Sequence, residues 1–275
     1  MHPESLPTEI EGQERSVGVT DAESSTGVRR TLAGRLWYWW SLFVAAMLLL
    51  VIGPPTITAA RVAGRPHWLY PYALFGARNW LRLSGVRVRV RGLENLDSRQ
   101  SYVFIANHRS FLDTAMLFYH LRRRIGILAK KELLKVPIMG YGMGFVNIMS
   151  IDRTNRESAL RTTKAATDRL RSGISFGVFA EGTRARPGEL LPFKKGGFYM
   201  AVEAGVPIVP VAIKYTDGLM GKGTGVARPG TAEMVILPPI ETAGPAGEDV
   251  KRLTELTHAA IAEELGRGRS ERLRD

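Results

Sequence analysis

Tyr102-Val103-Phe104-Ile105-Ala106-Asn107-His108-Arg109-Ser110-Phe111-Leu112-Asp113 begins as an apolar run rich in β-branched and aromatic residues and then turns abruptly polar. The stretch 102–106 reads as a buried strand, and a helical pattern starts near Ser110 and runs to 121. Outward from this point, short β-rich runs recur at 86–90, 125–129, 145–151, 174–179, 208–215 and 233–237. Helical stretches occupy 154–172, 196–205 and 247–266. This alternation predicts an α/β domain over 86–275, with a mixed, largely parallel sheet flanked by helices. A chain of 275 residues suits one such domain plus appendages.

The segment before that domain has a different character. Residues 1–30 are polar and aperiodic, with Glu4, Glu9, Glu11, Glu14, Asp21 and Glu23 among Ser, Thr and Gly, and they read as a disordered tail without a cleavable signal peptide. Leu36 to Ile52 is then almost entirely apolar, marginal for a helix that needs ~20 residues to span a bilayer. Trp37, Tyr38, Trp39 and Trp40 cluster at its start as an interfacial belt, and Arg35, Arg61 and Arg65 flank it. With basic residues at both ends, Gly53-Pro54-Pro55 is expected to turn the chain back out of the bilayer. The mixed aromatic and basic run from His67 to Val86 suits a helix lying at the interface. Residues 31–85 are therefore expected to form a membrane-associated helical hairpin, the alternative being a buried core hairpin.

Charge narrows the partners. A formal net charge of +12 favours an anionic one: nucleic acid, an anionic bilayer, a phosphorylated substrate or an acidic carrier protein. The basic residues are dispersed and no recognised nucleic-acid module is present, which argues against nucleic acid. Arg122-Arg123-Arg124 reads either as a solvated helix end or as a contact for headgroups or an acidic carrier. The absence of cysteine rules out disulfides, a thiolate zinc site and a cysteine nucleophile. His2, His67, His120 and His258 have no carboxylate at a telling offset, so no metal site is expected. Gly221-Lys222-Gly223-Thr224-Gly225 lacks the spacing of a nucleotide-binding loop and is expected to be a flexible one.

Two strand ends carry chemistry. His108 and Asp113 are five residues apart, which on one regular helix leaves them about 140° out of register. If His108 sits in the turn before the helix, Asp113 in the first turn can reach back to one imidazole nitrogen, leaving the other free to take a proton from a hydroxyl. Ser110-x-x-Asp113 is also a capping-box pattern, which explains the aspartate without any chemistry. At a second strand end, Arg184, Lys194 and Lys195 are candidates for a phosphate site, the alternative being a solvated basic loop.

Taken together these segments resemble the glycerophospholipid acyltransferase family, in particular its 1-acylglycerol-3-phosphate O-acyltransferases. Asn107 to Asp113 is similar to the family's H-x4-D block, and Gly144 to Arg153 to its second block. Glu181, Gly182, Thr183 and Arg184 resemble the third, and Val206-Pro207-Ile208-Val209-Pro210-Val211 the fourth, with Ala185 departing from a frequent serine. The resemblance implies His108 as general base, oriented by Asp113. It implies Arg153, Glu181, Gly182, Thr183 and Arg184, with Lys194 and Lys195, as residues that position the polar acceptor. For Pro207 and Pro210 the expectation is a sheet edge or the wall of an acyl groove, since a strand proline removes a ladder donor.

The implied reaction carries an acyl group from acyl-CoA or acyl-carrier protein to the hydroxyl of 1-acylglycerol 3-phosphate, giving phosphatidic acid in phospholipid biosynthesis without cofactor or metal. The implied partners are the lysophospholipid acceptor, the thioester donor and anionic membrane lipids. The implied place is a membrane, with the catalytic domain facing the cytoplasm. Another lysolipid, such as a lyso-ornithine lipid, or glycerol 3-phosphate is the alternative acceptor; a basic membrane-binding protein is the non-enzymatic alternative.

Overall fold

A computed structural model describes residues 31–65, 68–135, 138–151, 156–242 and 249–272. The tail 1–30, His67 and Arg153 lie outside the described residues. Two helices come first, α1 (Leu32–Val62) and α2 (Leu69–Leu83). Next come β1 (Val86–Arg91), β2 (Val103–Ala106), α3 (Leu112–His120), β3 (Ile125–Lys130), α4 (Met139–Gly142), β4 (Ile148–Ile151) and α5 (Arg156–Arg171). The chain closes with β5 (Ser175–Phe179), α6 (Gly196–Ala204), β6 (Ile208–Lys214), α7 (Thr216–Met220), β7 (Gly230–Ile236) and α8 (Asp249–Arg272).

The strands form one sheet in the order β1-β7-β6-β2-β5-β3-β4. The five from β6 to β4 run parallel, while β7 pairs antiparallel with β6 and carries β1 parallel to itself. β2 lies at the centre with all four residues buried, as a parallel strand covered on both faces requires. Its period-two alternation sends Phe104 and Ala106 into the core under α2 and α3, and Val103 and Ile105 into the core with Phe176, Phe198 and Val250 on the other face. At the β1 side, buried Lys214 pairs with Glu264 of α8 and lies 3.5 Å from Glu233, and Arg91 joins both carboxylates.

Three expectations change. Gly53-Pro54-Pro55 does not reverse the chain: α1 continues as one helix of 31 residues, about 46 Å long, with both prolines inside it. The prolines remove the N–H donors that would reach Leu50 O and Val51 O, and one residue further along the Thr56 hydroxyl donates to Ile52 O at 2.7 Å and Gly53 O at 2.9 Å. The hairpin closes later, between α1 and α2, and is pinned by Trp80 Nε1 to Ser41 O at 3.0 Å, Trp37 Nε1 to Ser84 O at 3.0 Å and the Ser41–Ser84 hydroxyl pair at 2.8 Å. Its outward side stays apolar, with Leu36, Trp39, Trp40, Phe43, Leu50 and Val51 exposed, and α1 is long and apolar enough to cross a bilayer. These features make the protein membrane-associated.

The strand expected at 145–151 shrinks to its last four residues, because Met143–Val146 is a tight helical turn and Asn147 takes a left-handed conformation with φ +59°. Strand β6 is interior, so Pro207 and Pro210 mark no edge. Pro210 is tolerated because its backbone faces the β7 side where β7 has just ended at Ile236; its carbonyl accepts from Leu237 N–H at 2.9 Å. By register both prolines fall behind the level of His108, Pro207 by six residues or ~20 Å, so neither reaches the His108 site.

Candidate active site

His108 emerges two residues beyond the end of β2, and the neighbouring strands β5 and β6 end beside it. Sites in open α/β sheets gather at such carboxyl ends because the loops there diverge. Asn107 staples the junction: its amide donates to Ile213 O at 2.9 Å and accepts from Ile213 N–H at 2.7 Å, so β2 and β6 end in a fixed relation.

His108 stands in the turn before α3, and Asp113 in the first turn reaches back to it. His108 Nδ1 lies 2.9 Å from Asp113 Oδ2. The same oxygen accepts from Arg109 N–H at 2.7 Å and Ser110 N–H at 2.8 Å, while Leu112 N–H donates to Ser110 Oγ at 3.2 Å. Cap and partner of the histidine are therefore one role: the bond from Ser110 N–H is the return half of a capping box, and it fixes the carboxylate that fixes the imidazole. An ionised carboxylate only accepts, so Nδ1 carries the proton and Nε2 presents a lone pair. The ring stacks on Phe179 at 4.0 Å and 20°, which locks its plane. Asp113 is fully buried while the His108 side chain keeps 16% of its surface, so the imidazole alone of the pair meets a substrate.

The end of β5 supplies the second wall. Gly182 has φ +73°, a left-handed turn that glycine adopts freely, and this folds Glu181 back toward β2. Glu181 Oε1 accepts from His108 N–H at 2.7 Å and Oε2 from Leu191 N–H at 2.9 Å. Both oxygens are engaged by main chain, so Glu181 braces the His108 backbone. Ala185 N–H donates to His108 O at 2.7 Å, a contact that needs no hydroxyl, so alanine serves where serine is frequent. Thr183 is half-buried in the same turn.

The Arg184 guanidinium lies 3.6 Å over the ring of Phe111. Burial pushes its pKa down, and Tyr38 from α1 and Asp113 pull it back. Lys194 and Lys195 are exposed at the start of α6, with the Lys194 N–H on Ala180 O; among the described residues no hydrogen bond or ion pair joins either to Arg184.

The sequence reading missed Arg109, which is buried and holds Glu189 O through Nε at 2.8 Å and Asp217 at 3.6 Å. It also missed Phe179, Asn107 and the loop after α7. The loop at 221–225 is not free: Gly221 bridges Ser110, and Ser110 Oγ donates to Met220 O at 2.8 Å. Only the polar pair Asn107-His108 at the strand end was a local signal; the other contacts join residues at least 70 positions apart.

Burial is the main influence on the Glu181 carboxyl, pushing it above its ordinary 4.5, while the Leu191 and His108 N–H donors and the Arg109 and His108 charges draw it partly back. A carboxyl raised on folding favours the fold when protonated, and that contribution is lost as pH rises from the ordinary value through the raised one. The unfolding free energy of the wild type relative to Glu181→Gln is therefore expected to fall across that window in urea titrations. A difference that stays flat with pH would refute the assignment.

Fold and site together define a class: a membrane-associated α/β protein with a carboxylate-backed histidine at the end of its central strand. Residues 87–214 match the family described as Acyltransferase. An uncharacterised acyltransferase of Schizosaccharomyces pombe is 36% identical over 208 residues, covering 74% of each chain. The 1-acyl-sn-glycerol-3-phosphate acyltransferase alpha of Mus musculus is 36% identical over 175 residues, 63% of this chain and 61% of its own length. The match to the Saccharomyces cerevisiae 1-acyl-sn-glycerol-3-phosphate acyltransferase is 38% identical over 58% of this chain and 53% of the yeast one. The chain thus spans about three fifths of the mouse relative and half of the yeast one. In fold it is similar to the crystal structure of the 1-acyl-sn-glycerophosphate acyltransferase of Thermotoga maritima, with a TM-score of 0.73 at 23% identity over 86% of this chain and 98% of that one. The chain belongs to the acyltransferase family.

Proposed function

We propose that this protein transfers a fatty acyl group from acyl-CoA or acyl-carrier protein to the free hydroxyl of 1-acylglycerol 3-phosphate, forming phosphatidic acid for phospholipid biosynthesis. The observation that carries the reading is the His108 imidazole, held by buried Asp113 through Nδ1 and open at Nε2. Nε2 takes the proton of the acceptor hydroxyl as its oxygen attacks the thioester carbonyl. The tetrahedral oxyanion collapses, the carbon–sulfur bond breaks, and the thiolate recovers the proton from His108. The Asp113 carboxylate stabilises the imidazolium in between, and no covalent acyl-enzyme is needed.

Arg184 binds the acceptor phosphate, and Arg153, Lys194 and Lys195 are the further basic residues proposed to contribute to acceptor binding. Residues 31–85 hold the protein on the bilayer and 86–275 carry out the transfer. The site opens to the cytoplasm, where thioester donors are made, and anionic lipids attract the basic residues Arg35, Arg61 and Arg65. The relatives named for action on 1-acyl-sn-glycerol 3-phosphate support this acceptor over others.

The test is purified protein in phospholipid vesicles with mixed lysolipids and acyl thioesters, read by mass spectrometry. Phosphatidic acid with stoichiometric free thiol is expected; acylation of a different lysolipid alone would overturn the acceptor, and no acyl transfer with any donor would overturn the reaction. Arg184→Ala should raise KM for lysophosphatidate about tenfold or more, with a smaller loss in kcat, because it removes a charge-assisted phosphate contact. An unchanged KM for the acceptor would remove Arg184 from the phosphate site.

A further inference from the structure

The loop between α7 and β7 crosses the site and is held in one shape. Gly221 pairs with Ser110 in an antiparallel bridge, and a Cβ on Gly221 would stand 2.5 Å from Asp217 O, so a side chain there would break the turn. Thr224 Oγ1 bonds Gly221 O at 3.0 Å and Val226 O at 3.2 Å. Farther along, Ala227 N–H donates to Gly34 O at 2.9 Å, which ties the loop to the start of α1. Lys222 is the one charged residue between Gly221 and Ala227.

Both ends of the Lys222 side chain are placed. Its backbone follows the bridge to Ser110, and its ammonium donates to Arg184 O. That carbonyl belongs to the peptide group whose N–H, on Ala185, donates to His108 O at 2.7 Å. One peptide group therefore separates the Lys222 charge from the His108 backbone. Among the described residues no carboxylate forms an ion pair with Lys222, and Arg184, whose carbonyl it caps, is itself a cation over Phe111. An ammonium has three donors, and among the described residues only one has a protein partner. Tied to a main-chain carbonyl and, among the described residues, to no carboxylate, the Lys222 ammonium keeps its charge for an anion that reaches the His108 site.

We infer that Lys222 is a substrate-binding residue that takes a phosphate oxygen with one of its remaining N–H groups, forming with Arg184 a two-cation phosphate site. The inference rests on the acyl-transfer reading for the substrate but not for the chemistry, since phosphate binding can be measured without turnover. Acceptor and thioester donor both carry phosphate, and the two sources are separable. A simpler role, in which Lys222 only caps the Arg184 carbonyl, requires a donor but no positive charge.

The test is calorimetric titration of the full-length wild type, Lys222→Gln and Lys222→Arg with a short-chain lysophosphatidate and, separately, with coenzyme A. Melting temperatures and steady-state kinetics accompany it. Lys222→Gln keeps an N–H donor and loses the charge; it should weaken binding of one of the two about tenfold, with Lys222→Arg recovering most of it and added salt shrinking the difference. Loss confined to lysophosphatidate assigns the acceptor phosphate, and loss confined to coenzyme A assigns a donor phosphate. In turnover the effect should fall mainly on KM for that same substrate. Unchanged affinity for both ligands in Lys222→Gln would overturn the inference. So would a loss that follows a drop in melting temperature and that Lys222→Arg fails to recover. Wild-type protein that binds lysophosphatidate through Lys222 yet forms no phosphatidic acid would refute the proposed reaction and leave the site standing.

Discussion

Replacing His108 with alanine is expected to lower kcat for acyl transfer by about 10²–10⁴-fold, the range a general base contributes, while the protein stays folded. The fold tolerates the change because the site's fixed points are elsewhere. Asp113 still caps α3 through Arg109 and Ser110, and the His108 backbone still holds Glu181 and Ala185, since none of these bonds uses the imidazole. The side chain gives up only its stacking on Phe179 and its bond to Asp113. The measurement is initial rate against acceptor concentration, with circular dichroism and melting as controls. Turnover within a few-fold of wild type in a folded His108→Ala protein would end the assignment of His108 as base.

Asp113→Ala is expected to lose both activity and stability, and Asp113→Asn to separate the two. One oxygen of this buried carboxylate accepts three bonds, two of them from main chain, so truncation leaves two buried N–H groups unpaired. The cost should be on the order of 1–3 kcal/mol in chemical denaturation. An asparagine carbonyl can accept those main-chain bonds, so Asp113→Asn should regain much of the stability. It cannot supply the charge that stabilises the imidazolium, and kcat should remain about 10²-fold or more below wild type. Wild-type kcat in Asp113→Asn would reduce Asp113 to a helix cap.

That pair also shows how much of the site local sequence carries. Spacing excluded a shared helix face and left two readings of Asp113, as cap or as partner of the histidine. The structure makes them the same arrangement, because a single carboxylate oxygen can accept from a loop imidazole and from the N–H groups preceding the helix at once. Glu181 went the other way. It lies at a strand end, where acceptor binding is expected, yet both its oxygens are occupied by main chain more than nine residues away along the sequence. No local pattern reveals such a use, since the partners are backbone groups of any residue type.

The strands were legible because the central parallel ones, buried on both faces, are short apolar runs and β1 alternates Val with Arg, with turn residues separating them. Their order was not, because nearly interchangeable Val, Ile and Phe runs carry no label for their neighbours. Burial in the interior of the sheet is what moved Pro210 from an expected edge to a position that the end of β7 makes tolerable. The membrane helix follows the same division. Its composition is plain in 36–52, but whether Gly53-Pro54-Pro55 ends it depends on packing against α2, where Trp80 is tied to Ser41.

By itself, then, the sequence determined the α/β alternation, the apolar N-terminal segment, and the placing of His108 and Asp113 at a strand-to-helix junction, since all of these are periodicities or short spacings within one chain segment. Tertiary structure alone decided which strand ends meet. It set Glu181 behind His108, closed the 220–227 loop over Ser110 and Arg184, and brought Lys222 beside the site, because those contacts join segments far apart in the chain whose meeting depends on how the sheet is ordered.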